Sequence, residues 1–291
     1  MPKTALKHTV PPIALRRRIT DHAMTGVAVL TVILVLVPLF AIFAYLVYRG
    51  IGSINWAFLT QTPKPVGEAG GGMANAIVGS VFILALASLL GVPLGIGAGI
   101  YLAEYGRNRL GDAIRFTADV LNGVPSIVIG IVAYSIVVLY QKHFSALAGG
   151  VALAIMMIPT ITRTTEEMLR LVPQALREAA YGLGVPRWRT TLSITLRTAT
   201  SGVITGIMLA FARVAGETAP LLFTAFGNQF WNLRMNEPTA ALPLQIFNYA
   251  ISPYDEWHRQ AWAGALVLII LIVTAVAAVR VAVRRGTFGA A

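Results

Sequence analysis

Met24–Tyr48 carries no charged side chain anywhere in MTGVAVLTVILVLVPLFAIFAYLVY. About 20 apolar residues cross the roughly 30 Å hydrocarbon core of a bilayer as a helix. Inside that core the backbone has no water to bond, so an isolated run of this kind must be helical. Comparable runs recur, and they predict an all-α integral membrane protein with six transmembrane helices. The expected spans are Met24–Tyr48, Ala74–Tyr101, Pro125–Tyr140, Ala146–Ile161, Gly202–Phe223 and Ala261–Val283. Composition agrees: 56% of the 291 residues are hydrophobic and 12% are charged, where soluble domains carry roughly 25% charged residues. The absence of cysteine excludes disulfides and Cys-based metal sites.

The first run follows Arg16, Arg17 and Arg18. It is too long for the roughly 7–15-residue apolar core of a cleaved signal peptide, so it reads as a retained anchor. Four parts follow: a tail over 1–23, a first span with its loop over 24–72, a five-helix core over 73–285, and a short tail over 286–291. In the second span Gly91, Pro93, Gly95, Gly97 and Gly99 suggest a kinked helix with close neighbours, since small residues let backbones approach.

The net charge of +11 raises the question of nucleic acid as a partner, but its distribution points to the membrane and its lipids instead. Seventeen of the 23 Lys and Arg fall in alternate segments: the N-terminal tail, the connection after span two, the segment after span four and the C-terminal tail. Cytoplasmic loops accumulate such residues, which places both termini in the cytoplasm. The opposite segments hold four of the five tryptophans, Trp56, Trp231, Trp257 and Trp262. Among them the long connection Ala225–Gln260 is expected to be structured, since it carries Pro238, Pro243 and Pro253 and several apolar residues.

Between spans four and five lies the polar, basic stretch Leu169–Thr200. Pro173 and the break Gly184-Val185-Pro186 divide it into two short helices, Gln174–Gly182 and Trp188–Leu196. Together they form a cytoplasmic knob bearing Arg177, Glu178, Arg187, Trp188 and Arg189. A basic turn lying on anionic lipid has the same composition.

No GxxxxGK[ST] sequence is present, so energy for active transport has to come from a partner. Within span five, Arg213 lies near the middle of the apolar run. A charge there costs at least about 2.5–3.5 kcal/mol and points to function. Glu217 follows at i+4, expected on the same face. The pair reads either as an anion pathway, with Glu217 neutralising Arg213 between passages, or as a strut between helices. Arginine suits an oxyanion because its planar fork bonds two oxygens and stays charged. Arg163, amid Thr160, Thr162, Thr164 and Thr165, sits at the cytoplasmic end of span four, where a snorkelling arginine is equally expected. Glu166 and Glu167 are expected to pair with arginines of the basic segment after span four. Asp119 and Asn122, just before Pro125, read as a helix-entry cap.

One local pattern carries a family resemblance. Glu178-Ala179-Ala180, then Gly184, Ile194 and Leu196, resembles the EAA loop of ABC-importer permeases; Arg197 stands where that pattern has proline. The runs GGGMANAIVGS (Gly70–Ser80), PLGIGAGIYLAEYGR (Pro93–Arg107), RTTEEML (Arg163–Leu169) and ARVAGETAPLLFTAFGNQFW (Ala212–Trp231) are similar to the PstA-type permease family of phosphate importers. The resemblance implies a type I ABC-importer permease fold with cytoplasmic coupling helices, in a bacterial inner membrane. It implies that Glu178, Ala179, Ala180, Gly184, Arg187 and Trp188 contact a separate ATPase pair that binds ATP and Mg, while this chain holds no cofactor and is no enzyme itself. It implies too a heterodimer with a second, related permease, a periplasmic phosphate-binding protein as donor, and Arg213, Glu217 and Arg163 along the substrate pathway. A permease for sulfate or molybdate, or an ATPase-independent channel or carrier, are the alternatives.

Overall fold

The computed structural model describes residues 15–65, 68 and 70–288; the ends of the expected tails, 1–14 and 289–291, lie outside the described residues. The chain divides into two units, Met1–Tyr48 and Arg49–Ala291. The described part of the first belongs to helix α1 (Leu15–Gly50), which contains Pro38. Its apolar side chains are exposed on all sides up to Tyr45, among them Leu34, Phe40 and Ile42. A helix apolar all round is at home in lipid or in a larger apolar interior.

The described part of the second unit is built of helices joined by turns and loops. Its elements are α2 (Trp56–Thr60), α3 (Ala74–Glu104), α4 (Arg109–Gly123), α5 (Ser126–Ala133), α6 (Leu139–Gln141), α7 (Ala146–Arg170), α8 (Gln174–Gly182), α9 (Arg187–Thr190), α10 (Leu196–Ala215), α11 (Ala219–Leu222), α12 (Leu242–Ala250) and α13 (Asp255–Phe288). Side-chain caps mark three starts: Asn55 accepts from the Phe58 amide at 2.7 Å, Asn108 from Gly111 at 2.8 Å and Ser145 from Ala148 at 3.1 Å. Among the described residues, extended pairing is confined to one bridge, Phe226 with Thr239.

Helix α7 is the centre of this unit, with 67% of its apolar stretch buried. Gly91, Gly95 and Gly99 recur every four residues along α3 and meet Met157, Ile161 and Thr165, which recur likewise along α7. A Cβ at these glycines would lie 3.2, 2.7 and 2.5 Å from the Cβ atoms of those three residues. Gly97, in the same run, faces open space. The closeness expected from these glycines therefore belongs to one stripe. Gly202 and Gly206 of α10 make the corresponding approach to Met168 and Thr164 of α7.

Two expected boundaries change. The run Pro125–Tyr140 is not a complete straight span. It is the second arm of a bent pair, Arg109–Gly123 with Ser126–Gln141, meeting at 110°. That arm is about 24 Å long at 1.5 Å per residue, shorter than the hydrocarbon core. The bend follows from Pro125, which holds Val124 in an extended conformation (φ −71°, ψ 133°). Among the described residues five helices are thus long and apolar enough to span, or six counting the bent pair as one. The second change is at span five: Arg187–Ala215 forms one long helical segment with a π turn at Thr191–Thr195. The expected second short helix is therefore the start of the span, which ends at Ala215 instead of Phe223.

The connection Ala225–Gln260 is ordered, as expected. It contains α12, with Leu242, Pro243, Leu244 and Tyr249 buried. Asn75 donates to the Asn228 carbonyl at 2.7 Å, the Asn228 and Asn232 amides donate to the Pro238 carbonyl at 3.1 and 3.0 Å, and Ser80 accepts from the Leu242 amide at 2.6 Å.

The glycine stripe yields a stability contrast. Gly95→Val places a branched side chain against Ile161 and should cost about 1–3 kcal/mol by overpacking. Gly97→Ala should be neutral or mildly stabilising, since alanine is favoured over glycine in a helix by about 1 kcal/mol. Thermal unfolding of the purified protein in detergent separates the two, and equal midpoints would rule out the stripe as the α3–α7 contact.

Candidate functional site

Helix α8 begins after Pro173 and is closed by its own backbone. The Gly184 amide donates to the Tyr181 carbonyl at 2.9 Å and the Val185 amide to the Ala180 carbonyl at 3.0 Å, the pair of bonds that defines a Schellman C-cap. This geometry needs a left-handed residue, and Gly184 supplies it at φ 75°. The fixed interval from Ala180 to Gly184 thus has a local cause. Ala180 is buried at 3% exposure, so the alanine faces inward. Glu178, Ala179 and Gly184 are exposed, as are Leu183 at 84% and Trp188 at 61%.

Two arginines hold this outward face to the bundle. Arg177 donates through Nε and Nη2 to the Glu104 carboxylate at 3.2 and 3.0 Å. The same guanidinium donates at 2.7 Å each to the Val172 and Leu169 carbonyls beyond and within the last turn of α7. Arg187, on the other side of the Gly184 turn, donates to the Glu104 carbonyl and lies 4.7 Å above the Tyr105 ring. Arg177, Arg187 and Glu104, with Arg107, Arg170 and Glu178, line a cavity of about 440 Å³.

Beside it lies a second charged centre. Glu166 is buried at 2% exposure and meets three guanidiniums: Arg170 at 2.6 Å, Arg115 at 2.7 Å and Arg163 at 3.1 Å. A buried carboxylate needs such partners, because desolvation penalises the bare charge by several kcal/mol. Arg163 also grips Asp119 of α4 with two donors, at 2.8 and 2.5 Å. Thr160 donates to Asn122 at 3.1 Å. Asp119 and Asn122 are therefore inter-helix contacts in the last turns of α4 and not the entry cap the sequence suggested. Arg163 lies inside an ion-pair network with Asp119 and Glu166. Glu166 pairs as expected with arginines of the basic segment after span four, Arg163 and Arg170, and additionally with Arg115 of α4.

Arg213 and Glu217 are not brought together. The helix ends at Ala215, with Gly216 at the cap, so Glu217 has left the helical register that placed it one turn along from Arg213. Arg213 is exposed and Glu217 half-buried, and among the described residues no ion pair joins them. Arg213 instead occupies the last turn of α10, where the partial negative charge of a helix C-terminus favours a cation by roughly 0.3–1 kcal/mol. Sequence reading also passed over Glu104, whose carboxylate receives Arg177 and whose backbone carbonyl receives Arg187. Its one signal was a lone acid closing an apolar span.

Comparisons with known proteins agree with this geometry. The profile of the family described as binding-protein-dependent transport system inner membrane component matches residues 91–287. A phosphate transport system permease protein PstA of Yersinia pestis is 52% identical, over 78% of this chain and 77% of its own length. That of Haemophilus influenzae is 46% identical, over 88% of this chain and 91% of its own. The PstA 1 protein of Mycobacterium tuberculosis is 37% identical, over 90% and 88%. Among solved structures, an inward-facing form of the MetNI methionine ABC transporter matches with a TM-score of 0.57 at 17% identity, over 72% of this chain and 97% of that one. At that identity the match speaks for the fold.

The Glu166 centre predicts an asymmetry between two substitutions. Glu166→Ala leaves three guanidiniums without their shared partner and should destabilise by about 3 kcal/mol, the low end for a buried pair because the arginines keep access to water. Glu166→Gln, which retains the acceptor oxygen, should cost less. Thermal unfolding in detergent compares them, and equal losses would show that the charge is not what matters.

Proposed function

The chain belongs to the family of binding-protein-dependent transport system inner membrane components, and on that premise we propose that it is a permease subunit of an ATP-driven importer of inorganic phosphate. The observation that carries this reading is the exposed Glu178–Ala179 face on a self-closed turn, in a chain 37–52% identical to phosphate transport permeases along most of its length. A small protruding helix anchored by inward arginines is suited to a separate ATPase, in which ATP and Mg are bound. This chain then contributes half of a translocation pore and performs no hydrolysis itself. A second, related permease completes the pore, and a periplasmic binding protein delivers phosphate at the α12 end. The bias of Lys and Arg toward the α8 end supports a cytoplasmic position for that end and for both termini.

In this reading the exposed Arg213, at the end of α10, meets the anion with its planar fork. Glu217, two residues beyond the helix end, sets the local charge balance without forming a pair with it. Arg163 contributes nearer the α8 end, through exchange of Asp119 for phosphate.

Two experiments test the proposal. The intact chain should retain an ATPase subunit on pull-down, and a variant altered at Glu178 and Gly184 should lose it; retention by both would remove the docking role. In cells deleted for the native permease, the chain should restore phosphate uptake that excess sulfate does not reduce, whereas competition by sulfate would move the assignment to another oxyanion. Arg213→Gln should lower that uptake about 10- to 100-fold, the value of one charge-assisted hydrogen bond. Full uptake in both Arg213→Gln and Glu217→Gln would take these residues off the pathway.

A further inference from the structure

A partner pressing on α8 has two routes into the bundle. One follows the chain, around the Gly184 turn, through α9 and the π turn at Thr191–Thr195, into α10. The other runs through side chains. Arg177 stands on α8 next to Glu178, yet its side chain is only 15% exposed and points away from the outward face. Its guanidinium reaches three places at once: the Glu104 carboxylate, itself 5% exposed, at the end of α3, and the Leu169 and Val172 carbonyls at the end of α7. Arg187 grips the same end of α3 from the far arm of the turn, through the Glu104 carbonyl and the Tyr105 ring. Both arms of the knob therefore close on Glu104–Tyr105.

The second route is the stiffer one. A guanidinium fixed by four hydrogen bonds has little freedom left, and buried, paired groups resist displacement because an unpaired charge is costly. A π turn within a helix, by contrast, is one of the few places where a helix kinks sharply. The end of α3 is in turn locked to α7 by the Gly91–Gly95–Gly99 stripe, so a displacement applied there moves both helices together.

We infer that Arg177 is a positioning residue that carries the displacement of α8 into α3 through Glu104, making α3 with α7 the driven body of the permease. Arg177 touches neither substrate nor nucleotide. It converts the partner's motion into a change of the pore, and it does so independently of the chain's path into α10. The inference rests on the reading of the chain as an ATPase-coupled permease.

The test uses the complete importer, this chain with its second permease and its ATPase pair, reconstituted in vesicles with its phosphate-binding protein. Phosphate uptake and ATP hydrolysis are measured on the same preparation. Arg177→Met alone would strand the Glu104 carboxylate, so the principal variant is the double substitution Arg177→Met with Glu104→Gln, which removes both charges. Its ATP hydrolysis should stay within about twofold of the parent while phosphate moved per ATP falls about tenfold, inside the 5- to 150-fold range of ordinary coupling energies. Arg177→Lys, which keeps the charge but not the fork, should fall between. An unchanged ratio overturns the inference. So does a parallel fall in uptake and hydrolysis, or a double variant that fails to assemble, either of which would make the contact structural. The unaltered chain failing to bind the ATPase or to transport phosphate would instead overturn the proposed function, a result read before any variant is made.

Discussion

Helix α7 lies against α3 at a distance that leaves no room for a side chain at Gly95 and Gly99 and little at Gly91. The rest of the core follows from that contact. In lipid there is no hydrophobic drive to press two helices together, and what holds them is the sum of many small dispersion attractions, each of which needs close approach. Because the glycines of α3 and those of α10 lie on different flanks of α7, one helix organises both neighbours. The ends of three helices then come close enough for charged side chains of ordinary length to bridge them.

Those bridges are concentrated at one end. Glu104, Asp119 and Glu166 are each met by arginines from other elements or other turns, and two of the three carboxylates are nearly inaccessible. This end is a polar structure built on an apolar frame, and its buried acids, Glu104 and Glu166, are matched by arginines. At the opposite end order comes from amide-to-carbonyl contacts of Asn75, Asn228 and Asn232, and from the stacked rings of Tyr249 and Trp257, 4.5 Å apart. The two ends thus differ in kind: one buries charge matched by arginines, while the other is pinned by asparagines and aromatic rings and keeps its ion pairs, Arg234–Glu237 and Arg259–Glu256, on exposed side chains.

Much of this was legible in the sequence, for identifiable reasons. Apolar runs announce spans because burial in lipid acts on every residue of a run. The interval from Ala180 to Gly184 announces a turn because a left-handed position demands glycine. What stayed hidden was non-local. The bend at Val124–Pro125 is local in cause, but whether its arms count as one span depends on packing. Asp119 and Asn122 look like cap residues beside Pro125, and nothing in their neighbourhood reveals Arg163 and Thr160 on another helix. The apolar run after Arg213 concealed the helix end at Ala215, so a four-residue interval suggested a pair that the backbone does not make.

The turn at Gly184 has a consequence for exchangeability. Its shape is maintained by two backbone hydrogen bonds and one glycine, and the outward positions Glu178, Ala179 and Leu183 contribute nothing to closing it. The surface offered to a partner and the device that preserves its form are therefore written in different residues. A chain built this way is free to drift in the first set and still present a helix of the same length and direction, so a change of partner requires a few surface replacements and no new fold. The inward set, anchored by Arg177 and Arg187, has no such latitude.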